Sequence, residues 1–317
     1  MTLTVALAGD TMLGRGVAQH LADRRGPVVA PEVAEVAAEA DLFVLNLECC
    51  ISDRGRRWPD PAKPFFFRAP PAAADVLAEL GVDCVTLANN HALDYGIDAL
   101  LDTFTHLAAA GVAWVGAGPD EDAARQPAAL RAAGQSLTVV GVSDHPSAFA
   151  AGPDRPGIAF ADLAGAGVPG WLLGAVGGAE GPVLVSPHWG PNMTAEPIPA
   201  VRAAADTLTE AGVTLVAGHS AHVFHGVRGP VLYDLGDFVD DYAVDPHLRN
   251  DLGLLFLATM DGGRLSAVEA VPLKLDYCHT RLAVGDDGAW IRRRFCEACA
   301  RLGTEAVAVD GRLRVGG

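Results

Sequence analysis

The chain has 317 residues, half of them hydrophobic, and carries 39 acidic against 23 basic residues, for a formal net charge of −16. This length and composition predict a globular protein with a sizeable core, built as one large α/β domain or two small ones. The acidic balance argues against a nucleic-acid-binding surface, because contact with a phosphate backbone requires clustered Lys and Arg. It argues equally against adhesion to an anionic membrane.

The apolar run over 3–9 is short, has no basic residues before it and ends at Asp10, so it predicts a first strand and not a signal peptide. No run approaches the ~20 apolar residues of a membrane span. We therefore expect a soluble, cytoplasmic protein, with homo-oligomerisation left open. Its six cysteines are expected to be reduced. Cys296-x-x-Cys299, near Cys278-His279, allows a small zinc site, but a structural role on one helix is favoured.

Hydrophobic patterning and turn residues divide the chain into strands and helices. Strands are predicted at 3–9, 41–47, 82–88, 112–116, 137–143, 182–187, 213–217, 230–234, 253–259 and 265–272. Helices are predicted at 31–40, 71–80, 96–110, 197–211 and 288–302. The alternation predicts parallel crossovers in the first half, and the closer strands after 213 predict antiparallel hairpins. We predict one domain over 1–275, with 276–317 as its helical extension.

Six segments place a metal-binding or proton-transferring side chain at or just after an apolar run. They are Gly9-Asp10, Asn46-Leu47-Glu48, Asn89-Asn90-His91, His188-Trp189-Gly190, the His219–His222 loop and Leu235-Gly236-Asp237-Phe238. In an open α/β sheet, loops at the carboxyl ends of strands converge on one crevice, so these residues could share a site. Their mixed oxygen and nitrogen donors suit Zn, Mn or Fe. The pattern predicts an enzyme that uses one or two divalent metal ions.

The individual residues carry different weight. His219 and His222 on one Gly-containing loop are the strongest metal signal, whereas His188 taken alone is more often a satisfied polar residue. His91 could be a general acid or a ligand. Asp94 could orient His91 or only cap the following helix, and the cap is its minimum role. His145 is treated as a substrate contact at the same rim.

A basic, aromatic loop over 53–68 stands out from the acidic background. Arg56, Arg57, Lys63 and Arg68 follow Glu48 closely and predict a grip on the phosphate or carboxylate of an anionic small-molecule or oligomeric substrate. The alternative is a solvated surface loop whose phenylalanines are partly core.

Taken in order, the motifs resemble the CapA family of poly-γ-glutamate capsule-biosynthesis proteins, which is related to the calcineurin-like metallophosphoesterases. The matching segments are GDTMLGR at 9–15, NLE at 46–48, KPFFFRAPP at 63–71, ANNHALDYG at 88–96, HWG at 188–190, GHSAH at 218–222 and YDLGDF at 233–238. The resemblance implies an α/β fold of metallophosphoesterase type, a four-layer α/β/β/α sandwich of mixed sheets with a metal centre at one edge.

The resemblance also implies residue roles. Asp10, Glu48, Asn90, His188, His219 and His222 would be the metal ligands, with Glu48 near the bridging acid and His91 as general acid. Met12 departs from the pattern, because it occupies the place of a ligand His. The closing pair has the spacing His-x-x-His, Ala221 stands where Pro is usual, and Asp237 replaces an Asn. These departures put the number of metals in question.

Three functions remain open at this stage. The leading hypothesis is a metal-dependent hydrolase of a phosphoester or γ-glutamyl amide, in which a metal-activated water attacks and His91 protonates the leaving group. The second is a non-hydrolytic assembly or binding factor in polymer synthesis, with a structural metal. The third is oxygen chemistry at a di-iron centre.

Overall fold

The computed structural model describes residues 2–315. Eight α-helices are described: α1 (Arg15–Ala22), α2 (Pro31–Ala37), α3 (Ala72–Glu79), α4 (Gly96–Ala110), α5 (Glu121–Arg125), α6 (Gly170–Gly177), α7 (Pro199–Glu210) and α8 (Gly285–Arg301). The strands of the first half are β1 (Thr2–Thr11), β2 (Leu42–Leu47), β3 (Cys50–Ile51), β4 (Arg68–Ala69), β5 (Cys84–Thr86), β6 (Ala113–Val115), β7 (Ala117–Gly118), β8 (Ala128–Ala132), β9 (Gln135–Ser143) and β10 (Gly157–Ile158).

The strands of the second half are β11 (Val183–His188), β12 (Leu215–Ala217), β13 (Val227–Arg228), β14 (Val231–Leu232), β15 (Asp237–Val239), β16 (Leu252–Asp261), β17 (Arg264–Asp276), β18 (His279–Leu282), β19 (Ala306–Val309) and β20 (Arg312–Val315). A 3-10 turn covers Ser147–Phe149. Among the described residues, no helix is both long and apolar enough to cross a bilayer.

Two mixed sheets form the centre of the molecule. The larger has the order β19-β20-β17-β16-β1-β2-β5-β6, and β15 also pairs with β1. The smaller has the order β13-β14-β12-β11-β9-β8. Parallel pairs β1–β2, β2–β5, β9–β11 and β11–β12 connect the interior strands, as the strand–helix alternation predicts.

Three buried clusters fill the spaces between the layers. Along β1, Leu3, Val5 and Leu7 face the smaller sheet, whereas Ala6 and Ala8 face the helices on the other side. This alternation has the period of two that a strand imposes, and it explains why β1 reads as a continuous apolar run. The third cluster packs α6 and α7 on the outer face of the smaller sheet. The predicted four-layer α/β/β/α sandwich is confirmed.

The predicted elements agree with the structure along most of the chain. The β16–β17 hairpin turns at 262–263 and β13–β14 turns at 229–230, as predicted, although β12 and β14 pair in parallel. Residues 276–317 were predicted to form a helical extension, and this prediction was incomplete. Besides α8 they contain β18, which pairs with β17, and a β19–β20 hairpin joined to β17 through β20.

The cysteines are free and mostly buried. Cys299 accepts a hydrogen bond from the backbone N–H of Val227, and Cys296 donates to the carbonyl of Ala306. They therefore point to different neighbours from the same helix. Among the described residues no cysteine belongs to a group able to hold a metal, which agrees with the structural role favoured for them.

Candidate metal centre

The site lies where parallel strands of both sheets end. Asp10 is near the end of β1, beside Asn46 of β2 and Asp237 of β15 in the strand register. His188 ends β11 and forms an isolated bridge with His219, which follows β12. Because parallel strands deliver their carboxyl ends to one edge, residues spread over more than 200 positions meet there.

Asp10 is the centre of this arrangement. Its side chain is 1% exposed. Oδ1 accepts a hydrogen bond from Asn46 Nδ2 at 2.8 Å and lies 3.1 Å from His219 Nδ1. Oδ2 lies 3.3 Å from His222 Nδ1. Burial alone would raise the pKa of Asp10, but the contact with His219 and the surrounding imidazoles bring it below its ordinary value.

Two groups of potential ligands share this carboxylate. Asp10, Glu48 and His188 form one, and Asp10, His222 and Asp237 form the other, each with ligand atoms within 4.8 Å of one another. The sequence placed Glu48 near the bridging acid. The geometry instead puts Asp10 in the shared position, with Glu48 on one side of it.

Several oxygen and nitrogen atoms that could bind a metal are buried here without a hydrogen-bond partner. They are both carboxylate oxygens of Glu48, Asp237 Oδ2, Asn90 Oδ1, His188 Nε2 and His219 Nδ1. Burying such atoms unpaired costs free energy, whereas a cation would satisfy them together. Carboxylate, amide and imidazole donors without thiolates suit Zn, Mn or Fe. The residues present therefore fit a divalent metal.

The pKa values of two carboxyl groups at the site also favour a bound cation. Burial, together with the charge of Asp10, raises the pKa of Glu48 well above its ordinary value. Burial also raises the pKa of Asp237 well above its ordinary value, with the nearby Asp240 adding to the shift. Carboxyl groups crowded in this way resist ionisation in the protein alone, and a bound cation would reverse that resistance.

His91 and Asp94 form a buried pair beside the centre. His91 Nδ1 lies 2.5 Å from Asp94 Oδ2, and His91 Nε2 faces Glu48 at 3.8 Å. Asp94 also accepts the backbone N–H of Phe67 at 2.6 Å. The helix α4 has Tyr95 at its N-cap and no side-chain cap hydrogen bond. The minimum role assigned to Asp94, a helix cap, is therefore wrong, and its contact orients His91.

Asn89 and Asn90 differ in the hydrogen bonding of their side chains. Asn89 Nδ2 donates to Asn46 Oδ1 and to the carbonyl of Leu47, and Asn89 Oδ1 accepts the backbone N–H of His91. Asn89 thus ties β2 to the loop that carries His91. Asn90 keeps its side-chain oxygen unpaired, which leaves it free for a ligand role.

The departures from the family pattern have local explanations. Met12 is fully buried in the core, and its sulfur accepts the backbone N–H of Gly14 at 3.1 Å. It offers no oxygen or nitrogen to the site. On the closing loop, Ser220 has φ 110° and His222 has φ 60°. These positive φ angles bring both His219 and His222 next to Asp10, although the spacing His-x-x-His has one residue more than His-x-His.

Lys63 is the basic residue of the 53–68 loop that contacts the site. Lys63 Nζ lies 3.0 Å from Asp94 Oδ1 and donates to the backbone carbonyl of Asn90 at 2.7 Å. Arg57 lies over the Phe66 ring and Arg68 over the Tyr95 ring. Arg56 is exposed. None of these three arginines lines the cavity beside the site, and their substrate role stays a prediction.

His145 stands on the other side of the centre. Its ring centroid is 5.2 Å from that of His188, and its Nδ1 pairs with Asp144. Asp144 Oδ2 in turn accepts the backbone N–H of Gly190. His145 therefore lies next to a candidate ligand, and its role as a substrate contact stays a prediction.

Sequence reasoning did not assign two residues that the geometry brings in. Asp237 lies in one of the six segments and replaces an Asn, but it was not assigned as a ligand, yet its Oδ1 lies 2.8 Å from His222 Nδ1. Arg15 lines a cavity of about 310 Å³ that His91 and His222 also line. Both lie inside segments that carry the family resemblance, which is the signal in the sequence that marks them.

The chain is similar to several known bacterial proteins. Residues 4–242 match a family model described as bacterial capsule synthesis protein PGA_cap. A probable polyglutamine synthesis accessory protein of Mycobacterium tuberculosis is 32% identical, covering 96% of this chain and 93% of its own.

Two further relatives are more distant. The PGA biosynthesis protein CapA of Bacillus subtilis is 26% identical over 75% of this chain and 63% of its own, and the capsule biosynthesis protein CapA of Bacillus anthracis is 28% identical over 78% and 64%. A hypothetical protein from Thermus thermophilus has a similar fold, with a TM-score of 0.51 at 18% identity over 86% of this chain and 99% of its own.

Proposed function

The chain belongs to the bacterial capsule synthesis protein family PGA_cap, and from this premise we propose that it is a metal-dependent hydrolase of an anionic substrate. The bond cleaved would be a phosphoester or a γ-glutamyl-type amide. The relatives' names connect them with polyglutamine synthesis, PGA biosynthesis or capsule biosynthesis, which supports the second choice.

One observation supports the proposal above the others. Glu48, His188 and Asp237 each have an unpaired buried oxygen or nitrogen, and each belongs to a potential ligand group that includes Asp10. A purely structural core would pair such atoms with each other. Asp10, Glu48, Asn90, His188, His219, His222 and Asp237 would hold one or two divalent ions (Mn, Fe or Zn). Such an ion lowers the pKa of water toward ~7 and polarises the bond under attack.

The protein's own residues would handle the leaving group. His91 Nε2 faces the site, while Nδ1 is held by Asp94, so the ring orientation is fixed. Burial lowers the pKa of His91 to about 4, and the charge of Lys63 contributes to this. His91 is therefore neutral at pH 7 before substrate binds. An anionic substrate beside it would raise that pKa, so that His91 Nε2 takes up a proton from solvent and passes it to the departing oxygen or nitrogen.

Lys63 and Asp94 would keep this proton donor in place. Lys63 is largely buried and pairs with the Asp94 oxygen that does not face His91. With Lys63 and the Phe67 N–H both bound to it, the Asp94 side chain is held in a fixed position. Removing Asp94 would let the imidazole rotate away from the leaving group.

The alternative function is a non-hydrolytic accessory factor with a structural metal. It is favoured by the name of the Mycobacterium tuberculosis relative, an accessory protein, and by the absence of an oxygen or nitrogen ligand atom at Met12. The two functions differ in one respect that experiment can reach: only the hydrolase turns over substrate when metal is supplied.

The test is turnover by chelator-stripped protein as Mn²⁺ is added back. The substrates are p-nitrophenyl phosphate and γ-glutamyl-p-nitroanilide. Wild type should regain activity on one of them, and His219→Ala should lose more than about 100-fold, beyond the usual cost of an outer-shell change. His106→Ala, on α4 outside the cluster, is the matched control. Metal-loaded wild type inactive on both would favour the accessory role.

A further inference from the structure

A cavity of about 310 Å³ opens beside the candidate metal centre. We call it the Arg15 pocket, and its lining includes Arg15, Phe65, Phe67, Tyr242, Asn192 and Met193, with His91 and His222 at the inner end. We propose that this pocket binds a carboxylate and the apolar group next to it on the substrate. The inference rests on the proposed function only in placing the scissile bond at the His91 end.

Arg15 is held in place before any ligand arrives. Its Nε donates to Asp241 Oδ2 at 3.2 Å, and its Nη2 lies 3.0 Å from Asp241 Oδ1. Asp241 is 3% exposed and also accepts the backbone N–H of Gly16 at 2.8 Å. Arg15 itself adopts φ 48°, an uncommon conformation for a non-glycine residue. Strain of this kind is often found where a side chain must point into a functional site.

Three aromatic rings surround the guanidinium. Its central carbon lies 5.7 Å from the Phe65 centroid, 5.5 Å from Phe67 and 5.8 Å from Tyr242. These distances are within cation–π range. Phe67 also stacks on His91, with centroids 3.9 Å apart. One continuous wall therefore runs from Arg15 to the residue proposed to protonate the leaving group.

The charge of the pocket selects the kind of anion. Of the described residues that line the pocket, Arg15 is the only Lys or Arg, and one edge of its guanidinium is already paired with Asp241. Asp240 and Asp241 lie buried just behind it. A dianionic phosphate would meet too little positive charge here. A carboxylate carries one charge and matches the planar geometry of the remaining donors.

The mouth of the pocket suits an apolar group. Phe65 is 56% exposed and Met193 is 38% exposed, and both line the cavity. Exposed apolar side chains that border a cavity commonly cover an apolar ligand. The substrate class that follows is an amide or ester that bears a carboxylate together with an aromatic or aliphatic segment.

Binding of a small probe tests this without requiring turnover. The probe is N-benzoylglycine, compared by calorimetry with its neutral amide on metal-loaded protein. Wild type should bind the acid at least about tenfold more tightly than the amide, and Arg15→Gln should remove that difference, since hydrogen bonds to charged groups contribute this much. Arg131→Gln, at an exposed arginine on β8 outside the pocket, should change nothing.

A second variant covers the risk that Arg15→Gln leaves Asp241 unpaired and unfolds the protein. Phe65→Ala removes an exposed ring and should weaken N-benzoylglycine while leaving N-acetylglycine unchanged. Equal binding of the acid by wild type and a folded Arg15→Gln, or by wild type and Phe65→Ala, would overturn the inference. If wild type binds the probe as expected but turns over no substrate, the result counts against the proposed function and still supports the Arg15 pocket.

Discussion

At the scale of single residues, the site depends on how Asp10 is shared. One carboxylate contacts Asn46, His219 and His222, and it belongs to both potential ligand groups. Met12 supplies no donor, but Asp237 brings an additional carboxylate to His222. The acidic side chain that replaces an Asn thus adds ligand capacity on the side of the site that includes His222.

Truncating His91 tests its role as proton donor. His91→Ala should lower kcat for phenyl phosphate by about 10²–10⁴-fold, the usual contribution of a positioned acid. It should lower kcat much less for 2,4-dinitrophenyl phosphate, because that leaving group departs without a proton. The measurement is kcat for both esters in both proteins.

Asp94→Asn provides the comparison for that experiment. It keeps the shape of the side chain but weakens the contact with His91 Nδ1 and with Lys63. It should reproduce the same dependence on leaving group in milder form. An equal loss on both esters in His91→Ala would instead indicate a role in binding or in holding the metal.

The sequence could predict the ligand types but not all their partners. Asp10, Glu48, His188, His219 and His222 follow apolar strands, and strand ends converge by a general rule. Arg15 gains its role from Asp241, more than 200 positions away. Asp237 gains its role from His222, more than 14 positions away. No local pattern contains such pairings, so they appear only once the chain is folded.

At the scale of elements, β1 positions the site because it approaches β15 very closely. A Cβ added at Gly9 would lie 1.8 Å from the carbonyl oxygen of Gly236. The backbone N–H of Asp10 donates to that same oxygen at 2.9 Å. The absence of a side chain at Gly9 therefore allows β1 and the loop before β15 to bring Asp10 and Asp237 together.

Adding a methyl group there should separate these strands. Gly9→Ala should lower the free energy of unfolding by about 1–3 kcal/mol or more, because the contact involves rigid backbone. It should also reduce metal content. Urea denaturation and mass spectrometry of the purified variant would measure the two effects.

Gly174→Ala is the matched control for this substitution. Gly174 lies within α6, where an added Cβ meets nothing within 4 Å. This change should raise stability by up to about 1 kcal/mol through helix propensity, with metal content unchanged. A Gly9→Ala protein as stable and as metal-loaded as wild type would show that the close approach does not position the site.

The elements that the sequence missed are short or depend on distant partners. Helix α1 lies in a segment for which no helix or strand was predicted, and α6 lies in a stretch of Gly and Ala with weak periodicity. Strand β15 has three residues, and its pairing partner is β1, more than 220 residues earlier. Longer elements such as α4 and β16 were predicted closely because their own hydrophobic patterns define them.

At the scale of the whole molecule, this acidic chain buries several carboxyl groups close together at one edge of the sheets. Asp10, Glu48, Asp234, Asp237 and Asp240 are all buried there. Burial raises the pKa of Glu48, Asp234, Asp237 and Asp240, so their ionised forms destabilise the fold as pH rises through those raised values. A bound cation would offset this cost and link metal binding to folding.

The most direct measurement is the metal content of untagged protein by mass spectrometry, for wild type and Asp10→Asn. Wild type should hold one or two equivalents of Mn, Fe or Zn per chain. Asp10→Asn should hold almost none, because both potential ligand groups lose their shared carboxylate. Wild type that stays metal-free after incubation with all three ions, or Asp10→Asn with undiminished metal, would contradict the account.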